Sequence, residues 1–288
     1  MSVPRQSPYR GEKIDLGGRA LRVVRAGPAN SPAPLVVLEH GAFGCAADWA
    51  VVQERLARQG LRSIAYDRAG LGHSDPGPTP RDGRAIVADL GLLLRELDEP
   101  GPYVLVGHSM GGLIVRLYAL THPEQVVGVV LVDAVTPDIM KTRAGPRAVA
   151  AFGALLRGVS HAARVGLMRP VALFSSNLIG LTGEAKVEKR RIHSSHPHAR
   201  WSAEEVAGWP ATSEQASEAE LPPQMPVAVI TAGGARTRPW LKAIQSVPAM
   251  ASRHGYVEHV AHARHASLLG PRFADPVVRG VAHVLSRA

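Results

Sequence analysis

A serine set between glycines, Gly107-His108-Ser109-Met110-Gly111, is the stretch of this chain best suited to chemistry. It reads G-x-S-x-G. Tyr103, Val104, Leu105 and Val106 precede it as a short apolar run behind Gly101 and Pro102, which suits a buried strand. The run that follows, Gly112 to Leu120, suits a helix packed on a sheet. A serine at such a sharp strand-to-helix turn is held in strained backbone with its hydroxyl exposed. The helix that starts there aims its free N–H groups and positive dipole end at the same spot, where a negative oxygen is stabilised. The pattern suggests a nucleophile.

A serine hydroxyl is a weak nucleophile at neutral pH and needs a base, most often an imidazole oriented by a carboxylate. In an open parallel sheet such groups gather beyond the carboxyl ends of the strands. Strand patterns occur at residues 20–25, 35–39, 61–66, 103–106, 126–132, 227–231 and 256–260. Helical spacing falls at 49–59, with Gly60 as its cap, and at 86–97, 240–253 and 275–286. Strands and helices alternate and the strands are apolar throughout, which predicts an α/β fold with a mostly parallel sheet covered on both faces. The alternation breaks after Asp133. Residues 137–223 are helix-prone, then polar, without a strong strand, and read as an inserted helical lid. The chain divides into a first core part at 1–136, the lid at 137–223 and a second core part at 224–288.

Three motifs, each after a strand pattern, resemble the α/β-hydrolase superfamily. Glu39-His40-Gly41-Ala42-Phe43-Gly44 is similar to its H-G-x oxyanion loop, and Tyr66-Asp67-Arg68-Ala69-Gly70-Leu71-Gly72-His73-Ser74-Asp75 to its Y-D-x-x-G-x-G-x-S loop. Gly107 to Gly112 is similar to its nucleophile elbow. The resemblance covers residues 20–135 and 224–288. It implies Ser109 as nucleophile and the backbone N–H groups of Met110 and Ala42 as the oxyanion hole. Loss of one such donor typically costs ~3 kcal/mol.

The resemblance also places the base after the last strand, where His262 and His265 compete. The layout of Ala266, Ser267, Leu268, Leu269, Gly270 and Pro271 before a final helix favours His265. The acid departs from the family's pattern. The loop after residues 227–231 is Ala232-Gly233-Gly234-Ala235-Arg236-Thr237-Arg238-Pro239, with no carboxylate. Asp133, at the end of the preceding strand, is a position some members use and becomes the expected acid. Asp138 and Glu258 are weaker alternatives, and a Ser109–His265 dyad is another. Phe43 is either a wall of the acyl pocket or core packing. His108 and His40 flank the site and either touch substrate or brace the loops.

The implied reaction is hydrolysis of a carboxylic ester, or a related small acyl compound, through an acyl-enzyme. Carbon–carbon bond hydrolysis with the same triad and a ligand-sensing protein without catalysis remain open. Phe152, Leu155, Leu156, Leu167, Met168, Leu173, Phe174, Leu178, Ile179 and Leu181 either line an apolar pocket or pack the lid on the core.

The chain has 288 residues, 45% of them hydrophobic and 20% charged, a globular composition. A net charge of +9 comes mostly from scattered arginines without a dense basic block, so a solvated basic surface is expected and no nucleic-acid partner. Cys45 is the only cysteine, which permits no internal disulfide. No apolar leader or membrane span is evident, since Arg157, His161, Arg164 and Arg169 interrupt the most apolar later segment. A cytoplasmic protein is expected. His193, His196 and His198 are spaced for a metal, but no Cys or nearby carboxylate pair supports one, and no metal or cofactor is expected.

Overall fold

The structure is a computed structural model that describes residues 10–168, 170, 172 and 177–288. Arg169, Leu173, Phe174 and residues 1–9 lie outside the described residues. Among the described residues eight strands form one sheet: β1 (Glu12–Asp15), β2 (Ala20–Ala26), β3 (Leu35–Glu39), β4 (Ser63–Tyr66), β5 (Tyr103–His108), β6 (Val126–Val132), β7 (Val227–Ala232) and β8 (Gly255–Val260). Their order is β1-β2-β4-β3-β5-β6-β7-β8. The β1–β2 and β2–β4 pairs are antiparallel and all later pairs are parallel.

The unbroken apolar runs of the central strands follow from burial on both faces. Leu35, Val37, Leu105, Val129, Leu131, Val227 and Val229 point into one core with α2 (Gly83–Glu96) and α3 (Gly111–Thr121). Their neighbours Val36, Leu38, Val104, Val106, Val130, Val132, Ala228 and Ile230 point into the other core, with Trp49, α1 (Ala50–Arg58) and the C-terminal helix Asp275–Leu285. A period of two thus places every other residue on each face, and neither face meets water. Apolar spacing predicts the start of α2 at Ile86, but the helix begins at Gly83. There the Asp82 carboxylate caps the Ala85 N–H at 3.0 Å, polar chemistry that the apolar pattern does not register.

Between β6 and β7 the described residues are helical and contain no strand: α4 (Asp138–Lys141), α5 (Gly145–Arg164), α6 (Gly183–His193), α7 (His196–Ala207) and α8 (Trp209–Gln215). Buried polar contacts tie α6, α7 and α8 to the sheet side. Glu188 pairs with Arg22, Lys189 with Asp48 and Glu205 with Arg68, all buried. The Gly72 N–H donates to His198 Nδ1 at 3.1 Å, and the Gln215 amide donates to Asp82 at 2.9 Å.

These contacts correct the expectation of a wholly solvated arginine surface. Arg22, Arg68, Arg81 and Arg116 are buried and serve as internal ties. Arg68 reaches Glu39 and Glu205 at once, and Arg81 reaches Asp89 at 2.8 Å. Among the described residues no helix is long and apolar enough to cross a membrane. The chain continues through α9 (Pro239–Ala251) and β8 to the C-terminal helix, α10 (Asp275–Leu285).

Candidate active site

Ser109 stands between β5 and α3 with φ 55°, a left-handed backbone that is costly for a side-chain-bearing residue. The turn holds because its backbone groups are satisfied: the Ser109 N–H donates to Val132 at 3.1 Å, and the Ser109 carbonyl accepts from Gly112 and Val135 at 3.0 and 2.9 Å. Glycine is required at position 111, where a Cβ would lie 2.5 Å from the Glu39 carbonyl oxygen. It is equally required at position 41, where a Cβ would lie 2.9 Å from the Cβ of Ser109. The loop after β3 and the elbow after β5 therefore meet at van der Waals limits. Among the described residues, the N–H groups of Met110 and Ala42 have no protein acceptor, so both remain available as donors.

Asp133 ends β6 at φ 41°, a conformation Asp tolerates better than most residues. Its Oδ2 lies 2.6 Å from Nδ1 of His265, and its Oδ1 accepts the Ala232 N–H at 3.1 Å and the Gln245 amide at 3.3 Å. Burial alone raises the Asp133 pKa. The hydrogen bond and charge of His265, with the two N–H donors, outweigh it and hold the carboxyl below its ordinary range. Gln245 and the Ala232 N–H were not singled out from sequence. Ala232 closes β7 and Gln245 lies on α9, on either side of the loop where the family's usual acid is missing, and they hold the carboxylate that reaches in from the end of β6.

His265 is exposed and lines a cavity of about 180 Å³ together with Ser109, His108, Ala42 and Phe43. Phe152, Leu178 and Ile179 supply apolar wall. Of the other apolar residues between β6 and β7, Leu156 and Leu181 are buried in the two cores, while Leu155 and Leu167 are exposed.

His108 is buried, and its Nε2 lies 3.1 Å from the His265 carbonyl oxygen. Burial, and secondarily the neighbouring His265, pull its pKa to about 3. A neutral ring can donate Nε2–H to that carbonyl, so His108 braces the His265 loop and also faces the cavity. The side chain of Phe43 is clasped by His193 and His198, with ring centroids 4.5 and 4.7 Å away, and its backbone is left-handed at φ 55°. His40 turns its Nδ1 to the Gly41 carbonyl at 2.8 Å, inside the loop after β3.

The remaining candidates lie elsewhere. His262 is exposed in a left-handed turn, Asp138 pairs with Lys141 at 2.7 Å and Glu258 pairs with Arg279 on the outer strand. His196 approaches the Ser160 carbonyl at 3.0 Å while His193 and His198 flank Phe43, so these three histidines do not converge on one point. Cys45 is buried and burial pushes its thiol pKa up, which suits packing. Sequence reading also missed Asp48 and Lys189 on the cavity wall and considered His193 only as a metal ligand, because no local pattern links residues so far apart in the chain.

The sequence matches the alpha/beta hydrolase fold family over residues 34–269. It is 38% identical over 112 residues to a non-heme chloroperoxidase of Streptomyces lividans, which is 38% of this chain and 40% of that protein. It is 32% identical over 115 residues to the bifunctional esterase/perhydrolase DCH of Acinetobacter calcoaceticus, covering 40% of this chain and 41% of that one. The chain thus covers under half the length of the curated relatives it matches. The crystal structure of a thermophilic esterase from Thermogutta terrifontis superposes over 96% of this chain and 98% of its own, with a TM-score of 0.66 at 20% identity, a likeness of fold.

Proposed function

Because the chain belongs to the alpha/beta hydrolase fold family, we propose that it is a serine hydrolase that cleaves small carboxylic esters through an acyl-enzyme. The observation that carries this reading is the Asp133–His265 pair at 2.6 Å, with the imidazole on the same cavity wall as Ser109. His265 takes the Ser109 proton as the oxygen attacks the ester carbonyl. The Met110 and Ala42 N–H groups receive the oxyanion of the tetrahedral intermediate. Its collapse breaks the ester C–O bond, and His265 returns the proton to the departing alcohol. Water, deprotonated by the same imidazole, then attacks the acyl-serine and frees the acid. Asp133 keeps the imidazole in the tautomer with Nδ1–H and stabilises its protonated form.

Cavity size supports a short acyl group. An engineered cavity of roughly 150 Å³ admits benzene, so a space of about 180 Å³ suits an acyl chain of few carbons or a small aryl group. In this reading residues 137–223 form the cap between the core parts 1–136 and 224–288, and Phe43 and His108 contact the substrate. The single buried Cys45 suits a cytoplasmic setting.

The test is a series of p-nitrophenyl esters with acyl chains of two to ten carbons. Turnover by the parent should peak among the short chains, fall by the longest, and vanish in Ser109→Ala. Equal rates for the parent and Ser109→Ala across the series would end the hydrolase reading.

A further inference from the structure

Three polar side chains on the cavity wall are unused by that mechanism. His193 contributes a ring whose Nε2 is buried and, among the described residues, has no hydrogen-bond partner. Lys189 and Asp48 contribute a buried ion pair. Among the described residues the Lys189 ammonium has that one hydrogen-bond partner, leaving N–H donors to spare. Most of the rest of the wall, including Phe43, Phe152, Leu178 and Ile179, is apolar.

A plain alkyl chain would satisfy the apolar part of this wall. It would leave the imidazole nitrogen and the spare ammonium N–H groups without the hydrogen bonds they can make. An oxygen on the chain supplies them. The charge balance decides what kind of oxygen. Asp48 already neutralises Lys189, and burial, with Lys189 close by, holds His193 well below its ordinary pKa and therefore neutral. A carboxylate entering here would find no uncompensated positive charge to offset its lost hydration.

Resting on the ester-hydrolase reading, we propose that the preferred acyl group carries an uncharged oxygen, a keto or hydroxyl group, and that Lys189 and His193 are the specificity residues that hold it. Lys189 donates to this oxygen, and the Nε2 of His193 donates or accepts according to its tautomer. Such a site discriminates strongly, because the analogue lacking the oxygen leaves both protein groups unpaired.

The experiment compares p-nitrophenyl 4-oxopentanoate with 4-methylpentanoate, and 5-oxohexanoate with 5-methylhexanoate. Each kcat/KM is normalised to that ester's alkaline hydrolysis rate. In each pair a methyl group replaces the oxygen at similar volume. The parent enzyme is expected to favour an oxo ester by at least about tenfold. His193→Phe, or the double variant Lys189→Met with Asp48→Leu, should bring the ratio close to one. The mono-p-nitrophenyl ester of succinic acid should be slower than the oxo esters. A ratio below about twofold in the parent for both pairs overturns the proposal even if neither variant folds. A ratio unchanged in folded His193→Phe, or a preference for the succinate ester, overturns it too. All three results leave Ser109-dependent ester turnover standing, so they are distinct from failure of the hydrolase reading, in which no ester is turned over.

Discussion

Nδ1 of His265 and Oδ2 of Asp133 stand 2.6 Å apart although 132 positions separate them in the chain. The carboxylate comes from the end of β6 and not from the loop after β7. The last residue of β7 instead supplies the Ala232 N–H to Oδ1, and α9 supplies Gln245. Asp133→Asn would keep the shape of the side chain but place an amide against Nδ1, favouring the wrong tautomer. A fall in kcat of about 10³- to 10⁴-fold is expected, the scale known for such a change. Asp138→Asn, whose partner is Lys141, should stay within about twofold of the parent. Steady-state kinetics on one ester separates the two, and near-parental turnover by Asp133→Asn would remove it from the mechanism.

The contact between Gly41 and Ser109 gives a second test. In Gly41→Ala the new methyl group would lie 2.9 Å from Ser109 Cβ and 3.3 Å from His108 Nδ1. Displacement of the loop or the serine by a fraction of an ångström should lower kcat by roughly 10²-fold, with KM little changed. Gly91→Ala in α2 meets open space and should leave kcat alone while stabilising the helix by roughly 0.5–1 kcal/mol. Denaturant titration together with kinetics distinguishes damage to the site from damage to the fold.

Arg68 is fully buried between Glu39 and Glu205, one from the sheet and one from α7. Arg68→Met would leave two buried carboxylates without their cation. A loss of roughly 3–5 kcal/mol in unfolding free energy is expected. Removing the exposed Arg84–Glu218 pair should cost within about 0.5 kcal/mol. Equal, small effects in the two variants would show that the tie between α7 and the sheet is dispensable.

Three buried histidines, His40, His108 and His198, and the half-buried His193 set the response to acid. Burial pulls His108 and His198 to about 3 and lowers His40 and His193 as well. These rings are neutral in the fold but gain protons in the unfolded chain below about 6.5. Their contribution is therefore complete above that pH and is lost as pH falls below it, with a slope of up to about 1.4 kcal/mol per pH unit for each ring. The lowered carboxyl of Asp133 acts in the same direction at lower pH. Thermal unfolding followed from pH 8 to pH 4.5 should show Tm steady above neutrality and falling steeply below about 6.5. A flat profile between pH 7 and pH 5 would contradict this burial pattern.

What the sequence disclosed and what it hid follow from the range of the interactions. The strands were legible because burial on both faces makes Leu35–Glu39 and Val126–Val132 almost wholly apolar. The position of Asp133 at a strand end made it a candidate partner for a late histidine, since strand ends of a parallel sheet share one side. The start of α2 was not legible, because it depends on a capping aspartate and on Gln215, 133 positions from Asp82. Nor were the buried roles of Arg22, Arg68 and Lys189, since each depends on a carboxylate contributed by a distant element. A buried arginine and a surface arginine look alike until the fold assigns their partners.

The central claim concerns the reactivity of one hydroxyl, and labelling measures it most directly. The folded protein is treated with a fluorophosphonate and the modified residue is located by peptide mass spectrometry. One phosphonyl group on Ser109 is expected, absent in Ser109→Ala and greatly slowed in His265→Ala but not in His262→Ala. An unlabelled Ser109 in the folded parent, or labelling indifferent to the loss of His265, would contradict the account.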